Sequence, residues 1–342
     1  MKCFDVIIVG GGPAGIAAAQ IFNKHNINYC LIDKCKFPRE KLCGGGLTSK
    51  SIKVLNSLGI KIDKINSKKV TDIELVSKNN HKIMILDDGI VMIDRQEFDN
   101  ANIKAIVKDR LFEEEIIKSI DNNILTTNKS SYNYKYIIFA DGINGYSRKL
   151  IKNREFGFCV EYESDIVTDK TILDFNAIKY GYGWIFPKKD HTTIGLGGLI
   201  NKKCDFVKLL IDFGNKYNYP IDKTKIRGYH IPVFSLDVYK SSVINNQYIL
   251  VGDAASLVNP ISGEGIYYAL ASGKNAALSI IECLKSNGDL QEIYFKKNEG
   301  ICNSLKKMST LSKQLYSYKK NILIRIGMNN KKIMDKLKRV FG

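Results

Sequence analysis

The apolar residues near the start of the chain fall into short runs separated by glycine and polar residues. Asp5–Val9 reads Asp-Val-Ile-Ile-Val, which is typical of a strand buried on both faces in a parallel sheet. The glycine-rich turn Gly10–Gly15 follows directly, and Ile16–Ile21 is a helix-forming stretch. A second apolar strand, Tyr29–Ile32, ends at Asp33. This order predicts a strand, a glycine turn, a helix and a second strand.

The glycine turn has the spacing with which dinucleotide-binding proteins hold a pyrophosphate. In this setting Gly10 permits the tight turn, Gly12 leaves room for the pyrophosphate, and Gly15 lets the helix pack closely on the strand. The helix start at Ala14 faces the phosphates with unpaired N–H groups and the positive end of the helix dipole. Asp33 stands where an acid accepts hydrogen bonds from adenosine ribose hydroxyls. We therefore expect a bound dinucleotide, and a glycine turn without a ligand is the competing interpretation.

Two further strand-and-turn segments lie far along the chain. They are Tyr136–Ala140, which leads into Asp141, and Tyr248–Val251, which leads into Gly252 and Asp253. A second glycine-rich segment, Pro260–Ile266, then precedes the apolar helix Tyr267–Leu284. Taken alone, Gly252 and Asp253 also fit a turn with an Asp at a helix N-cap.

These separated segments resemble the FAD site of the geranylgeranyl reductase family, which lies within the aromatic hydroxylase and glutathione-reductase-type flavoprotein superfamily. Three more stretches carry the same resemblance. Phe37–Leu47 is similar to the family's loop in which a lysine and a Cys-Gly-Gly run lie beside the flavin. Tyr180–Lys188 is similar to its Tyr-x-Trp-x-Phe-Pro stretch, and Asp94–Asp99 matches its Arg-x-x-Phe-Asp sequence.

The resemblance implies a set of cofactor contacts. Asp253 is expected to bind the ribityl or pyrophosphate region. The backbone of Gly265 and Ile266 is expected to face the pyrimidine edge of the isoalloxazine, and Arg95 to reach the phosphate or ribityl side. The remaining expected cofactor contacts are Cys43, Gly44, Gly46, Asp141, Gly252 and Gly263.

Cys43 is the residue that we expect to carry catalysis, together with Lys41. The glycines after Cys43 let the backbone approach the flavin ring, and Lys41 is near enough in sequence to activate the thiol. A proton donor, a substrate-positioning thiol and a flavin contact remain alternatives, as does a small buried hydrophobe. Tyr182, Trp184 and Phe186 are expected to line an apolar substrate slot, unless they form sheet core. No histidine or cysteine pattern predicts a metal site.

The resemblance implies an FAD-dependent oxidoreductase that reduces carbon–carbon double bonds of an isoprenoid, a prenyl lipid or a similar apolar substrate by hydride transfer from flavin N5. One alternative is an FAD-dependent aromatic monooxygenase. Another is a membrane-surface flavin protein that senses redox state or carries electrons without an organic substrate. No second glycine fingerprint follows a strand. The expected external reductant is therefore NAD(P)H that binds briefly, or a small electron-transfer protein.

The elements predict an α/β (α+β) fold in three parts. Residues 1–67, 91–153 and 246–284 are expected to form a discontinuous Rossmann-type FAD-binding domain. Residues 68–90 and 154–245 are expected to form an antiparallel β-sheet substrate domain that covers the flavin. Residues 285–342 are expected to form a pair of basic C-terminal helices.

The net positive charge of the chain suggests that it has anionic partners. Among 342 residues, 52 Lys and Arg stand against 35 Asp and Glu, a formal net charge of +17. Near the C-terminus, basic and apolar residues interleave, which predicts amphipathic helices that either pack on the body or lie on an anionic membrane. Nucleic acid is not an expected partner, because no recognition motif accompanies the charge. Since no bilayer-spanning stretch or export signal is visible, we expect a cytoplasmic protein, with membrane association as an alternative.

Overall fold

The computed structural model describes residues 1–63, 65–151, 154–200, 204–317 and 320–341. At residues 108, 321, 339 and 341 only the backbone is described. The predicted domain boundary at residue 153 and the end of the predicted basic segment at residue 342 lie outside the described residues.

The strands and helices are numbered in chain order over these ranges. The strands are β1 (Lys2–Cys3), β2 (Val6–Val9), β3 (Tyr29–Asp33), β4 (Gly46–Leu47), β5 (Ser67–Ser77), β6 (Asn80–Ile93), β7 (Leu111–Glu113), β8 (Ile117–Asp121), β9 (Ile124–Thr127), β10 (Ser131–Asn133), β11 (Tyr136–Phe139), β12 (Phe156–Ser164), β13 (Ile172–Asp174), β14 (Gly181–Pro187), β15 (Thr192–Leu199), β16 (Arg227–Pro232), β17 (Val243–Ile244) and β18 (Tyr248–Leu250). The helices are α1 (Pro13–Lys24), α2 (Ser49–Leu58), α3 (Arg95–Val107), α4 (Phe206–Lys216), α5 (Leu236–Lys240), α6 (Ile266–Ser286), α7 (Leu290–Lys297), α8 (Glu299–Leu315), α9 (Lys320–Asn329) and α10 (Lys331–Phe341).

The first sheet is parallel except at one edge. Its order is β17-β18-β11-β2-β3-β7, and β17 alone among these strands runs antiparallel to its neighbour. All four residues of β2 are buried, as expected for a β-branched strand covered on both faces. Because β2 lies between β11 and β3, the turns that follow these three strands lie at one edge of the sheet, where such folds bind nucleotides. The predicted Rossmann-type fold is confirmed.

A larger sheet faces this edge. Its order is β16-β12-β15-β14-β13-β5-β6-β4, and its pairs are antiparallel except for β13 with β5. The hairpin β5–β6 therefore belongs to the same sheet as the strands of residues 154–245. Strand β6 continues to Ile93, beyond the predicted boundary at residue 90. The mixed pairing corrects the expectation of a purely antiparallel sheet.

A small sheet of order β1-β10-β9-β8 lies beside the first sheet, and the sequence pattern did not predict it. After residue 286 the described residues form four helices, α7, α8, α9 and α10, which corrects the expectation of a pair of helices. Helices α9 and α10 pack against the large sheet through Ile324, Met328, Met334 and Val340.

Candidate functional site

A single large cavity separates the edge of the parallel sheet from the large sheet. Its volume is about 1650 Å³, above the roughly 300–1000 Å³ of ordinary small-molecule pockets. Its walls include the glycine turn after β2, the loop before β4, the loop before α6, one face of β14 and part of α8. The predicted site residues lie on its wall, except for Gly15 and Gly252, which are not among the residues that line it.

The three glycines of the first turn have different surroundings. Gly10 has a φ of +101°, and a Cβ there would lie 2.4 Å from the carbonyl oxygen of Ala140. A Cβ on Gly15 would lie 2.0 Å from the carbonyl oxygen of Gly10. A Cβ on Gly12 would instead enter the cavity, where its nearest neighbour is Arg39 Nη2 at 3.8 Å. Gly10 and Gly15 therefore serve the protein's own packing, and Gly12 keeps space open for a ligand.

Two helices begin at this cavity without a side-chain cap. Gly12 precedes α1 and Gly265 precedes α6, and both glycines line the cavity. Four other helices, α2, α4, α5 and α7, are capped by Thr48, Asp205, Ser235 and Asp289. The exposed N–H groups and positive dipole ends of α1 and α6 suit a ligand with negative groups at two separated points. A pyrophosphate at α1 and the pyrimidine edge of a flavin at α6 fit these ends.

Asp33 lies at the end of β3 and is 6% exposed. Its Oδ2 accepts a hydrogen bond from the Gly11 N–H at 2.7 Å, and its Oδ1 accepts one from the Cys35 N–H at 2.8 Å. The carboxylate is thereby fixed beside the glycine turn. Arg39, which no sequence motif marked as a site residue, lines the cavity near Gly12. Its guanidinium lies 3.9 Å from Asp33 and 3.3 Å from Asp99.

Arg95 begins α3 and is held by a buried ion pair. Its Nε and Nη2 donate to the two carboxylate oxygens of Asp99 at 3.2 and 2.9 Å. Burial disfavours the charge on Arg95, but the neighbouring Asp99 and Cys43 outweigh this effect and raise its pKa. Arg95 thus joins α3 to the loop that carries Cys43.

The loop from Cys43 to Gly46 is packed tightly against the large sheet. A Cβ on Gly44 would lie 2.8 Å from the Phe186 ring, and one on Gly45, at a φ of +69°, would lie 2.2 Å from the carbonyl oxygen of Ile93. The Gly45 N–H donates to Cys43 Sγ at 3.4 Å. Gly46 enters β4 and pairs with β6. The glycines therefore hold the backbone close to the cavity, while Lys41 is exposed at its rim.

Lys188 is a site residue that the sequence analysis did not single out. It is 5% exposed, and its Nζ donates to the carbonyl oxygens of Gly44 at 2.6 Å and Ile93 at 2.8 Å. Burial lowers the pKa of Lys188 to about 8, although Cys43 and Glu161 act in the opposite direction. Its position directly after the aromatic strand was the available signal in the sequence. The burial of Lys188 could not be read from that position, because a lysine at a strand end ordinarily reaches solvent.

The loop before α6 forms a further part of the wall and contacts β14 through the hydrogen bond between Tyr182 and Ser262. Gly252 has a φ of +56°, and its N–H donates to the Ser272 hydroxyl at 3.0 Å. Asp253 Oδ1 is 3.2 Å from a Cβ built on Gly265. Gly263, at a φ of +68°, lies beside the Tyr182 hydroxyl. Asp253, Gly263, Gly265 and Ile266 all line the cavity.

Asp141 lines the same cavity, but its carboxylate already has partners. It accepts from the Ser147 N–H at 2.9 Å and the Ser147 hydroxyl at 2.6 Å. Burial raises the pKa of Asp141, and these hydrogen bonds partly offset that effect. The carboxylate therefore fixes the turn after β11, and the backbone of that turn is what faces the cavity.

Tyr182, Trp184 and Phe186 project from one face of β14 into the cavity. The Tyr182 hydroxyl donates to the carbonyl oxygen of Ser262 at 2.5 Å. The Trp184 and Phe186 rings stack with centroids 6.1 Å apart. On β15, a Cβ on Gly195 would lie 2.3 Å from the Trp184 ring. The absent side chain of Gly195 makes room for the indole, so this face of the sheet is an apolar wall.

The comparisons with known proteins agree with this geometry. The FAD binding domain family matches residues 3–88. An uncharacterized protein of Methanosarcina barkeri is 33% identical over 333 residues, which cover 92% of this chain and 84% of that protein. The geranylgeranyl diphosphate reductase of Rhodobacter capsulatus is 27% identical, over 83% of this chain and 76% of that enzyme.

The chain belongs to the geranylgeranyl reductase family of FAD-dependent oxidoreductases. A geranylgeranyl bacteriochlorophyll reductase-like structure from Thermoplasma acidophilum shares its fold, with a TM-score of 0.84, 20% identity and coverage of 98% and 96% of the two chains. A flavin-dependent brominase has the same fold at a TM-score of 0.82 and 17% identity, covering 99% and 93%. The family resemblance inferred from the sequence is confirmed, as are an FAD-dependent enzyme and the fold class.

Within the described residues, no group of three or more His, Cys, Asp or Glu side chains is arranged to hold a metal ion. The described helices are each too short or too polar to cross a bilayer.

Proposed function

We propose that this member of the geranylgeranyl reductase family reduces carbon–carbon double bonds of a prenyl chain. The observation that carries the proposal is the shared cavity. The apolar wall of Tyr182, Trp184 and Phe186 faces the same space as the two uncapped helix starts and the Cys43 loop. A prenyl chain needs an apolar surface next to the redox centre, and a cavity of this size holds both.

Further apolar side chains extend this wall beyond the aromatic rings. Ile73, Ile90, Met92 and Leu173 come from β5, β6 and β13, and they line the cavity as well. These residues give an elongated hydrocarbon a continuous contact surface. The Rhodobacter capsulatus relative is named for a geranylgeranyl substrate, which supports the same class for this chain.

Bound FAD supplies hydride chemistry at flavin N5. The chain's own residues then have separable tasks. The start of α1 and Asp33 hold the dinucleotide half, and the start of α6 faces the pyrimidine edge. Cys43 is proposed to act beside the reacting double bond. The aromatic wall excludes water and orients the hydrocarbon.

The test is anaerobic reduction of the FAD-loaded protein with dithionite, followed by mixing with geranylgeranyl diphosphate. We expect reoxidation of the flavin and a product heavier by two hydrogens per reduced double bond, measured by absorbance and mass spectrometry. Phytanyl diphosphate is the matched control, because it has no double bond. A reduced flavin that persists with both compounds would contradict the proposal.

Mixing the reduced protein with oxygen separates this function from a monooxygenase. A flavin-oxygen adduct that accumulates and hydroxylates an aromatic substrate would contradict prenyl reduction. Rapid reoxidation by oxygen without hydroxylated product, together with reduction of the prenyl compound, supports it.

We also propose that electrons arrive from outside the chain. The described residues contain one glycine-turn dinucleotide site, at α1. NADPH, NADH and a reduced ferredoxin are therefore tested separately as donors under anaerobic conditions. Reduction of the flavin by one of the three identifies the donor class, and failure of all three would contradict these donor classes.

We also propose that the protein binds peripherally to membranes through α9 and α10. Ile322 and Ile326 are 54% and 51% exposed, and Lys331, Lys332 and Lys336 lie exposed nearby in sequence. Exposed isoleucines beside lysines suit an anionic lipid surface. The double variant Lys332→Glu/Lys336→Glu should reduce flotation with phosphatidylglycerol vesicles, whereas Lys118→Glu on β8 should not. Equal flotation with uncharged phosphatidylcholine vesicles would contradict an electrostatic contact.

A further inference from the structure

A second, small cavity lies on the other side of the Cys43 loop. Its volume is about 80 Å³, and Cys43 lines both cavities. Its inner wall includes Glu161 and Lys188, and its outer wall includes the exposed side chains of Lys41 and Glu163. The small cavity is therefore polar, and it joins buried titratable groups to the protein surface.

Glu161 is the buried acid of this cavity. It lies on β12 and is 2% exposed. Burial raises the pKa of Glu161 to about 7, while its hydrogen bond with Tyr229 and the charge of Lys188 act in the opposite direction. At neutral pH the carboxyl is therefore protonated in a substantial fraction of molecules. No step of the chemistry described so far uses this group.

Charged and titratable groups face Glu161 from several elements. Lys188 follows β14, Arg227 and Tyr229 lie on β16, and Glu163 lies on the same strand as Glu161. Arg227 is itself paired with Glu163 at 2.6 Å and with Glu40 at 2.8 Å. Lys188 is the other cation near Glu161, and it is buried. Its Nζ donates to two backbone carbonyl oxygens, and among the described residues it forms no ion pair with a carboxylate.

Tyr229 connects Glu161 to the large cavity. Its hydroxyl donates to Glu161 Oε2 at 3.3 Å, and its side chain lines the large cavity. In the sheet, Tyr229 pairs with Cys159, and Arg227 pairs with Glu161. These side chains therefore share the face of the large sheet that also carries Trp184. A continuous polar route runs from the small cavity through Glu161 and Tyr229 to the apolar wall.

We propose that Glu161 is the proton reservoir of this enzyme and that the Tyr229 hydroxyl passes its proton into the large cavity. This inference rests on the proposed function, because saturation of a double bond needs a proton at one carbon and a hydride at the other. The hydride brings the electron pair of one new C–H bond, and the π pair forms the other C–H bond with the proton. Reduced FAD, when bound, would supply this hydride and with it the two electrons.

When Glu161 is ionised, the Tyr229 O–H donates to its carboxylate. When Glu161 is protonated, its carboxyl O–H donates to the Tyr229 oxygen instead, and the Tyr229 O–H turns toward the large cavity. The Tyr229 O–H then gives its proton to the substrate carbon, and the Tyr229 oxygen takes the proton of Glu161. Glu161 then recovers a proton from solvent through the small cavity. The Lys188 ammonium stabilises the carboxylate that is left between these two events, and it holds the Cys43 loop in place through Gly44 and Ile93.

The first experiment measures Glu161 itself, without substrate. Difference infrared spectroscopy of the FAD-loaded protein follows the carboxyl C=O band from pH 5 to pH 9, and Glu161→Gln assigns the band. We expect its midpoint near pH 7. Tyr229→Phe and Lys188→Met should both move the midpoint upward, because each removes a group that favours the carboxylate. A midpoint near 4.5, or one that neither variant moves, would overturn the proposal.

The second experiment measures the rate of double-bond reduction after rapid mixing of dithionite-reduced protein with geranylgeranyl diphosphate. The wild-type rate should fall as the pH rises through 7. Glu161→Gln should be slower by about 100-fold or more and should lose this pH dependence. Tyr229→Phe should be slowed similarly, whereas Tyr162→Phe, on the opposite face of β12, should not. Wild-type rates in both Glu161→Gln and Tyr229→Phe would overturn the proposal.

The two experiments separate two kinds of failure. If the wild-type protein reduces no prenyl double bond, the proposed function fails while the infrared titration still reports the state of Glu161. In that case, a Glu161 titration midpoint near pH 7 that moves in both Tyr229→Phe and Lys188→Met supports Glu161 as a proton reservoir for the reduction of a different substrate. A normal reduction rate in Glu161→Gln instead rejects the reservoir and leaves the proposed function standing.

Discussion

The glycines of the first turn differ in their surroundings: some face the protein backbone and one faces the cavity. Gly15 faces the backbone of Gly10, so a side chain there would collide with the protein itself. Gly12 faces open space inside the cavity. One sequence motif therefore combines residues needed for folding with a residue needed for binding.

Gly12→Val should yield a folded protein that does not retain FAD, because the new side chain occupies the space beside the α1 start. Gly15→Val should yield little folded protein, because its Cβ would lie 2.0 Å from the Gly10 oxygen. Gly300→Ala in α8 is the control that should keep both the fold and the flavin, since a Cβ there meets nothing within 4 Å and alanine stabilises a helix relative to glycine by up to about 1 kcal/mol. Circular dichroism and flavin absorbance measure both properties. Retention of flavin by Gly12→Val would contradict the assignment.

Glu161→Gln should change how stability depends on pH. The folded-state pKa of Glu161, about 7, exceeds the ordinary 4.5, so the folded state binds more protons between these values. The free energy of unfolding of the wild type should therefore fall as pH rises from about 4.5 to 7, by about 3 kcal/mol from this group. The variant should lack this decline. Urea unfolding at several pH values gives the comparison, and parallel curves would be the contrary result.

The sequence predicted site residues that belong to a motif and missed those that a fold creates. Gly10, Gly12 and Asp33 are readable because strand, turn and helix are contiguous. Glu161 looks like an ordinary outward-facing residue of an alternating strand, and segments that are distant in sequence, among them β16 and the Cys43 loop, surround it in the fold. The neighbouring glycines of β15 were an indirect signal, since a strand that lacks side chains invites another chain segment to approach.

At the scale of elements, α9 has two apolar sides with different environments. Ile324 is 3% exposed and packs on the large sheet, whereas Ile326, in the same helix, is 51% exposed. The helix is therefore attached to the body and still presents hydrocarbon to its surroundings. The packing on the body that the sequence offered as one alternative is present at Ile324, and contact with an anionic membrane stays a prediction.

Ile324→Ala should destabilise the protein by about 2 to 4 kcal/mol, because it leaves a cavity against the sheet. Ile326→Ala has the same chemistry at an exposed position and should change the free energy of unfolding by less than about 0.5 kcal/mol. Equilibrium urea unfolding measures both. Equal effects of the two substitutions would show that α9 is not attached through Ile324.

The pairing of distant strands could not be predicted from local pattern. Strand β13 lies parallel to β5, about a hundred residues away in sequence, and joins the hairpin β5–β6 to the larger group of strands. Alternation of side chains marks each strand but does not name its partner. The β14–β15 pair was predictable because the two strands are adjacent in sequence and a short turn connects them.

At the scale of the whole molecule, the proposed FAD site combines segments that lie far apart in sequence. FAD held at the starts of α1 and α6 would contact two neighbouring segments of the Rossmann-type part of the fold. Removal of FAD should therefore lower the midpoint of thermal unfolding, and adding it back at about 100 times its Kd should restore about 3 kcal/mol. Differential scanning calorimetry with and without FAD checks this, and Gly12→Val should show no response. An unchanged midpoint in the wild type would contradict binding across the two segments.

The cavity takes its walls from residues as far apart as Val9 and Val340. During synthesis, the glycine turn leaves the ribosome long before α6 does. An emerging chain therefore has only one of the two segments that are proposed to contact FAD. The aromatic wall is made next, and the helices that close the far side are made last. Nascent chains should therefore remain colourless until translation is nearly complete, and in a cell short of flavin the finished chains should remain colourless as well.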